Sequence, residues 1–151
     1  MAIEGIILQR GEGDGVSLRD TRIDYLVTAR NSNSCSIFDF SVAPGFDTGA
    51  HYHTRIEEFF YVLEGELNLR TGDRTIRGGP GTFVFVPAGA VHSFGNSGPS
   101  AARMLVIAAP PGHEGYFDEL AALAKNGPPD PQALAALRAK YDTVQISTLS
   151  S

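Results

Sequence analysis

The sequence predicts an all-β fold, a barrel or a sandwich, followed by a short helical extension. From Ile3 to Ala109, short runs rich in β-branched and aromatic residues are separated by Gly, Pro, Asn or Asp about every ten residues, which is typical of this class. The 17 Gly and 9 Pro residues supply turns, and 151 residues fit one ordinary domain. After Pro110 and Pro111 the apolar residues recur at helical spacing instead.

Seven runs have the composition and partial alternation of β-strands. They are Ile23 to Thr28, Ser36 to Val42, Phe59 to Leu63, Glu66 to Arg70, Arg74 to Arg77, Thr82 to Val86 and Arg103 to Ala108. Turn residues such as Thr71-Gly72-Asp73 lie between them, which favours hairpins and tight corners.

Two short amphipathic helices are predicted after the strands. The first runs from Glu114 to Lys125, and the second begins at Asp130, a good N-cap, with Pro131 at the first helical position. The apolar residues at helical spacing are Phe117, Leu120 and Leu123 in the first helix and Leu134, Leu137 and Tyr141 in the second. These faces need an apolar surface to cover, so we expect them to pack on the barrel or on a partner subunit.

The charge pattern argues against several kinds of partner. Seventeen acidic and 12 basic residues give a formal net charge of −5, and the basic residues are scattered, so nucleic acid is not expected. The N-terminal residues, MAIEGIILQRGEGDG, do not resemble a signal peptide. No apolar run approaches the ~18 residues of a membrane helix. We therefore expect a cytoplasmic protein with no membrane partner.

Three of the four histidines lie in two compact segments. In the first segment, His51 and His53 are two residues apart, so on an extended chain both side chains project from the same face. Glu58 shares the apolar face of Phe60 by period two, whereas Glu57 should face away. An unpaired inward carboxylate is costly, and a bound cation removes that cost. Imidazole and carboxylate ligands together suit a divalent transition metal.

The second segment supplies the third imidazole. Thr82 to Val86 is a predicted strand, Pro87-Ala88-Gly89 a turn, and His92 lies on the next extended stretch with Phe94 on its face. His92 can reach the first two imidazoles only if strands about forty residues apart in the sequence are neighbours. A Greek-key or jelly-roll connection provides that arrangement.

Both segments resemble the paired motifs of the cupin superfamily. The first is G-x(5)-H-x-H-x(4)-E-x(6)-G over residues 45–65, and the second is G-x(5)-P-x-G-x(2)-H-x(3)-N over residues 81–96. The resemblance is to small bacterial single-domain cupins of the quercetin-dioxygenase-like kind. It implies a double-stranded β-helix, a jelly-roll barrel, with one divalent metal ion. The implied metal ligands are His51, His53, Glu58 and His92.

The change of pattern after Pro110 and Pro111 predicts the organisation of the chain. Residues 1–112 would form the cupin barrel and residues 113–151 a two-helix extension, and the family implies a homodimer. The fourth histidine, His113, lies outside both motifs. We expect it to be a neutral residue at the start of the extension rather than a fifth ligand, because a helix N-terminus disfavours an imidazolium.

Three imidazoles and one carboxylate leave open positions on an octahedral ion, as catalytic or ligand-binding sites do. Fe, Mn or Ni is favoured, with Zn or Cu as alternatives. The expected substrate pocket consists of Phe40, Phe60, Phe85, Phe94 and Met104. Such a pocket suits an apolar or aromatic small molecule better than a phosphate, which would need Arg or Lys beside it.

The leading interpretation is a metal-dependent dioxygenase, quercetinase-like, that acts on an aromatic or flavonol-like small molecule. Glu58 would be a metal ligand and the catalytic proton acceptor. Two alternatives stay open, because many chemistries share this fold and ligand set. One is a non-redox isomerase or cyclase that uses the ion as a Lewis acid, and the other is a non-catalytic small-molecule-binding protein.

Overall fold

The computed structural model describes residues 2–147 and contains two antiparallel sheets that form a barrel. The six-stranded sheet has the order β1-β2-β3-β10-β5-β8, and the five-stranded sheet has the order β11-β4-β9-β6-β7. The strands are β1 Gly15–Leu18, β2 Thr21–Val27, β3 Ser36–Val42, β4 His51–Tyr52, β5 Glu57–Glu64, β6 Leu67–Thr71, β7 Arg74–Gly78, β8 Phe83–Val86, β9 His92–Gly95, β10 Ala102–Ala109 and β11 Val144–Gln145. The predicted all-β barrel is confirmed.

All seven predicted runs lie in strands, with ends that differ by no more than two residues. Two more strands, β4 and β9, lie on the stretches around His51 and His92 that were expected to be extended. The remaining two, β1 and β11, were not predicted. β1 pairs with β2 at the sheet edge, and β11 pairs with β4 after the helices. β11 therefore brings the end of the described chain back to the barrel.

Alternating burial along the central strands builds the core. On β10, Ala102, Met104, Val106 and Ala108 are buried, whereas the residues between them are half-buried. Burying a large apolar side chain contributes roughly 1.5–3 kcal/mol, so this inward face is a main source of stability. The fully buried large apolar side chains are Phe38, Phe60, Ile23, Leu67, Leu69, Met104, Val42, Val62, Val86 and Val106.

Two residues of the cupin-like motifs hold corners of the barrel. The Asn96 side chain donates to the carbonyl oxygens of Val42 (2.9 Å) and Ser100 (2.8 Å) and accepts from the Gly98 amide (3.0 Å). Gly65 has φ +72, and a Cβ there would lie 3.0 Å from Ala102. Only glycine suits that conformation and that close approach.

Two helices form the C-terminal extension, α1 Glu114–Leu123 and α2 Pro131–Lys140. α1 ends two residues before the predicted end. The predicted start of α2 is confirmed, since the Asp130 carboxylate caps it by accepting from the Ala133 amide at 2.9 Å. Neither helix in residues 2–147 combines the length and hydropathy that a membrane span requires.

α1 packs on the barrel of its own chain. The Phe117 ring lies 5.1 Å from the Phe38 ring, measured between centroids. The Glu114 carboxylate accepts from the Ser36 hydroxyl (2.6 Å) and the Ala29 amide (3.0 Å). Residues 148–151 of the predicted extension and residue 1 of the predicted barrel lie outside the described residues.

A partly buried ion pair joins β3 and β10. Nη2 of Arg103 lies 2.7 Å from an Asp39 carboxylate oxygen, and its Nε lies 3.0 Å from both oxygens. Asp39 is only 6% exposed, and this guanidinium is the hydrogen-bond partner of both its carboxylate oxygens. Arg103 therefore has a structural role rather than a role in the candidate site.

We predict that Arg103→Ala lowers the free energy of unfolding by about 3 kcal/mol, because it leaves a buried carboxylate without its partner. Urea denaturation followed by circular dichroism measures the change. Arg77→Ala is the matched control, since Arg77 pairs with Glu66 at 2.6 Å but both side chains are more than half exposed. The control should lose less than about 1 kcal/mol. Equal losses in the two variants would contradict this role for Arg103.

Candidate metal centre

Three histidine rings and one carboxylate converge inside the barrel. Register between β4 and β9 places His51 opposite His92, with ring centroids 4.2 Å apart. His53 follows β4, and its ring lies 5.2 Å from each of the other two. Oε2 of Glu58 lies 2.5 Å from Nε2 of His92 and 3.5 Å from Nε2 of His53. One ligand atom from each of these four residues lies within 4.8 Å of the others.

The strand β5 turns Glu58 inward. Glu58 is 6% exposed, and the next residues of the same parity, Phe60 and Val62, are buried as well. Glu57 is exposed on the opposite face. The predicted orientation of the two glutamates is therefore confirmed, and it follows from the period of two along a regular strand.

Each of the three imidazoles is oriented by a backbone carbonyl. The acceptors of the Nδ1 atoms are the carbonyl oxygens of Gly49 for His51 (2.8 Å), Asp142 for His53 (2.9 Å) and Ala90 for His92 (3.0 Å). A carbonyl can only accept, so each Nδ1 must carry the proton. Each Nε2 then keeps a free lone pair, which is the state that a metal-binding histidine requires.

Three atoms of the cluster lack a hydrogen-bond partner although they are buried, namely Nε2 of His53, Nε2 of His92 and Oε2 of Glu58. The close contact between His92 and Glu58 does not have hydrogen-bond geometry. Buried lone pairs that face one another are unfavourable unless a cation or a proton lies between them. The cluster can therefore bind a metal ion, and its nitrogen and oxygen donors suit the divalent transition metals.

The electrostatics of the cluster fit the same role. Burial, with a contribution from His92, lowers the pKa of His51 to about 4, so this imidazole is neutral and available as a ligand. Burial alone would raise the pKa of Glu58, but His53 and His92 outweigh it and hold that pKa well below its usual range. Burial would also lower the pKa of His53, but the Glu58 carboxylate outweighs it and raises that pKa. In the metal-free cluster a proton lies between Glu58 and His53, and a bound cation would replace that proton.

A small cavity of about 50 Å³ lies against the cluster. Of the predicted pocket residues, Phe40, Phe60 and Phe94 line it. Met104 is fully buried but does not border the cavity. The prediction for Phe85 is wrong: its side chain is 42% exposed and packs against Phe59 on the outer face, with ring centroids 5.1 Å apart.

Residues 38–108 match the cupin domain family. This chain carries a cupin domain. The two-sheet barrel is accordingly a double-stranded β-helix, and the histidine and glutamate cluster lies inside it. The cupin match runs from the third residue of β3 to the last but one residue of β10 and leaves out the helices of the extension.

The relatives of this cupin differ in their named activities. Quercetin 2,3-dioxygenase of Bacillus subtilis (strain 168) is 35% identical over 89 residues, 58% of this chain, and the chain spans only 26% of that enzyme. The polyketide cyclase RemF of Streptomyces resistomycificus is 28% identical, with a TM-score of 0.62 over 70% of this chain and 79% of that one. An uncharacterized protein of Klebsiella pneumoniae with a double-stranded β-helix domain is 21% identical (TM-score 0.59, 72% of this chain and 92% of that one) and supports the fold.

Several lining residues were not predicted from the sequence. They are Leu18, Phe46, Thr48, Val106, His113, Tyr116, Phe117, Thr143 and Gln145. Five of these, from His113 onward, belong to the extension, which therefore closes the mouth of the cupin barrel. Helical spacing indicated that Phe117 packs inward, but nothing in the sequence indicated that β11 returns Thr143 and Gln145 to the cavity.

The extension also orients one member of the cluster. The Asp142 carbonyl accepts from Nδ1 of His53, and the Thr143 hydroxyl lies 3.3 Å from the same nitrogen. The Asp142 carboxylate accepts from the Thr54 hydroxyl (2.6 Å) and from the amides of Thr54 (3.1 Å) and Arg55 (2.8 Å). These hydrogen bonds of the Asp142 side chain thereby hold in place the Asp142 carbonyl that orients His53.

His113 lies at the N-cap of α1 and is 6% exposed. Burial lowers its pKa to about 4, so the residue is neutral as predicted. The main cause is burial, whereas the prediction relied on the helix dipole. His113 is not among the four residues whose ligand atoms converge, although its ring lies 5.2 Å from the ring of His53.

We predict that protein stripped of metal and incubated with Fe(II), Mn(II) or Ni(II) takes up about one ion per chain, because the described part of the chain offers one set of converging ligands. His92→Ala should lose most of that metal, as measured by inductively coupled plasma mass spectrometry. His113→Gln is the control, since it alters the histidine outside the cluster. Equal metal content in wild type and His92→Ala would contradict the site.

We further predict that Asp142→Ala weakens metal binding about tenfold, because the loop that positions His53 loses its fastening to Thr54 and Arg55. The dissociation constant is measured by competition with a chelator of known affinity. Asp130→Ala, which removes the cap of α2 from the same extension, controls for general destabilisation. Identical metal affinities for the two variants would show that Asp142 does not act through His53.

Proposed function

We propose that this cupin is a metal-dependent dioxygenase that acts on an aromatic or flavonol-like small molecule. The observation that carries the proposal is the meeting of three free Nε2 atoms and a buried carboxylate beside a cavity with aromatic walls. Phe40, Phe60 and Phe94 supply ring contacts for an apolar substrate. Within residues 2–147, no Lys or Arg lines this cavity, so a phosphate substrate is disfavoured.

The residues have distinct proposed roles. His51, His53, His92 and Glu58 would hold an ion, Fe, Mn or Ni with Zn or Cu as alternatives, which would polarise a substrate hydroxyl group. A redox-active ion, and therefore not Zn, would also supply the redox chemistry that dioxygen requires. Among residues 2–147, Glu58 is the one carboxylate that lines the cavity, and it is the proposed acceptor of the hydroxyl proton. The aromatic wall keeps bulk water out, which strengthens electrostatic interactions in the site.

The size of the cavity restricts the substrate. A volume of about 50 Å³ is far below the roughly 300–1,000 Å³ of typical small-molecule pockets. A flavonol therefore needs α1 to move away from the barrel mouth. The Glu114 hydrogen bonds and the packing of Phe117 on Phe38 resist that movement. We infer that substrates at the small end of the proposed class fit best and that α1 acts as a lid.

A non-redox cyclase or isomerase is the second candidate. The likeness to RemF favours it, because that polyketide cyclase matches 70% of this chain, whereas the quercetin 2,3-dioxygenase matches 58%. The ion would then act only as a Lewis acid, with the same residues holding it. We keep the dioxygenase as the leading proposal because the alignment with the dioxygenase has the higher identity, 35% against 28%.

We predict that protein loaded with Fe(II), Mn(II) or Ni(II) consumes dioxygen when catechols or flavonols are added, and that His92→Ala, lacking a ligand, does so at least about 100-fold more slowly. A dioxygen electrode measures the rate, and mass spectrometry identifies the product. Arg77→Ala, altered on the outer surface, is the control and should retain the wild-type rate.

Two outcomes would replace the proposal. Conversion of a substrate with no dioxygen consumed would favour the cyclase or isomerase. Tight binding of an aromatic ligand that is recovered unchanged would instead favour a binding protein without turnover.

A further inference from the structure

One residue that lines the cavity is left unexplained by the metal centre. Nδ1 of His113 is buried and has no hydrogen-bond partner. In the part of the chain that the structure describes, five buried side-chain atoms share this condition, and three of them belong to His53, Glu58 and His92. A metal ion would satisfy those three. His113 is not one of the residues whose ligand atoms converge, so the ion would not satisfy it.

The neighbours of His113 are rings that offer it little hydrogen bonding. The ring centroids of Phe117 and Tyr116 lie 5.0 Å and 5.3 Å from its own. Other polar side chains of the cavity already have partners: Thr143 donates to the Tyr141 carbonyl, Gln145 to the Thr48 carbonyl, and Thr48 to the Gly49 carbonyl. A buried polar atom without a partner is costly and needs an explanation.

We propose that His113 is a positioning residue that hydrogen-bonds one oxygen of a small molecule while an adjacent oxygen of the same molecule binds at the metal centre. A neutral imidazole has one donor and one acceptor, so it can bind a hydroxyl or a carbonyl group. The ligand class is therefore a molecule with oxygen atoms on adjacent carbons, such as a catechol, an α-hydroxyketone or a 2-hydroxy acid. This role of His113 rests on the metal centre of the proposed function but does not require that the protein react with dioxygen.

The position of His113 supports this role. Its ring lies 5.2 Å from the ring of His53, so a ligand at the cluster is within reach of both. The residue is the N-cap of α1, and it lines the cavity together with Tyr116 and Phe117 of that helix. The barrel then supplies the metal ligands, and the extension supplies the group that selects the substrate.

Two variants of similar side-chain size test the proposal. His113→Leu removes the hydrogen-bonding group, and His113→Gln keeps one donor and one acceptor. Each protein is loaded with Co(II), whose visible absorption reports ligand binding, and is titrated without dioxygen. The probes are glycolate, which carries a hydroxyl next to its carboxylate, and acetate, which does not.

We expect the preference for glycolate over acetate to fall about tenfold in His113→Leu and to recover in large part in His113→Gln. Acetate affinity and cobalt content should match wild type in both variants. The urea midpoint of metal-free His113→Leu should be equal to or above that of wild type, because leucine has no unpaired polar atom to bury. A merely structural histidine would give the opposite result, with lower stability and no change in ligand preference.

An unchanged preference in all three proteins would overturn the proposal, and so would an equal loss of affinity for both probes, which would indicate a steric role. Because no dioxygen is present, this test does not depend on the dioxygenase proposal. If the protein shows the expected glycolate preference but does not consume dioxygen, the dioxygenase proposal is refuted and the role of His113 is not.

Discussion

The hydrogen bonds from three Nδ1 atoms to backbone carbonyls are the constraint on which the candidate centre depends. They fix the tautomer and the orientation of each ring, so that the Nε2 lone pairs stay free while one ligand atom from each ring converges with the Glu58 carboxylate. For His51 and His92 the acceptor is two residues earlier in the chain, so the local backbone conformation is sufficient. His53 differs, because its acceptor lies 89 residues later, in the extension. Of the three hydrogen bonds that orient the rings, only that of His53 therefore depends on tertiary structure.

The cluster has an energetic cost that the rest of the barrel must offset. A buried carboxylate among imidazoles with unpaired atoms destabilises the metal-free fold. Stability comes instead from the inward face of β10, from the aromatic contacts of Phe38, Phe40 and Phe94, and from the Asp39–Arg103 pair away from the cavity. Because an ion binds the folded state, metal binding and folding are thermodynamically linked, and the loaded protein is the more stable one.

Sequence periodicity predicts which face a side chain is on where one face of the strand is more apolar than the other. Glu58 could be placed inward because Phe60 and Val62 share its parity, while Glu57 and Tyr61 are exposed on the other side. In β8, Phe-Val-Phe-Val, both faces are apolar, so parity could not show that Val84 and Val86 turn inward and Phe85 outward. Met104 shows a second limit, since its face was predictable but its distance from the cavity was not.

The pairing of strands that are far apart in the sequence could not be predicted from the local pattern of residues. The register that sets His51 opposite His92 joins segments about forty residues apart, and only the paired cupin motifs indicated it. β11 is two residues long, too short for any alternation to be detected, yet it places Thr143 and Gln145 at the cavity. Residues close together in the sequence therefore indicated the metal site, whereas the return of the extension to the cavity depends on a long-range pairing that no local pattern indicates.

The extension is attached to the barrel at both ends, and this limits how the cavity can open. At the start of α1, Glu114 accepts from Ser36 and Ala29. After α2, the Asp142 carboxylate accepts from Thr54 and Arg55. Because the second attachment also positions His53, a movement that detached it would disturb the metal ligands. Opening is therefore confined to the helices between these two points, so a lid that swings from two fixed ends admits small ligands more readily than a planar flavonol.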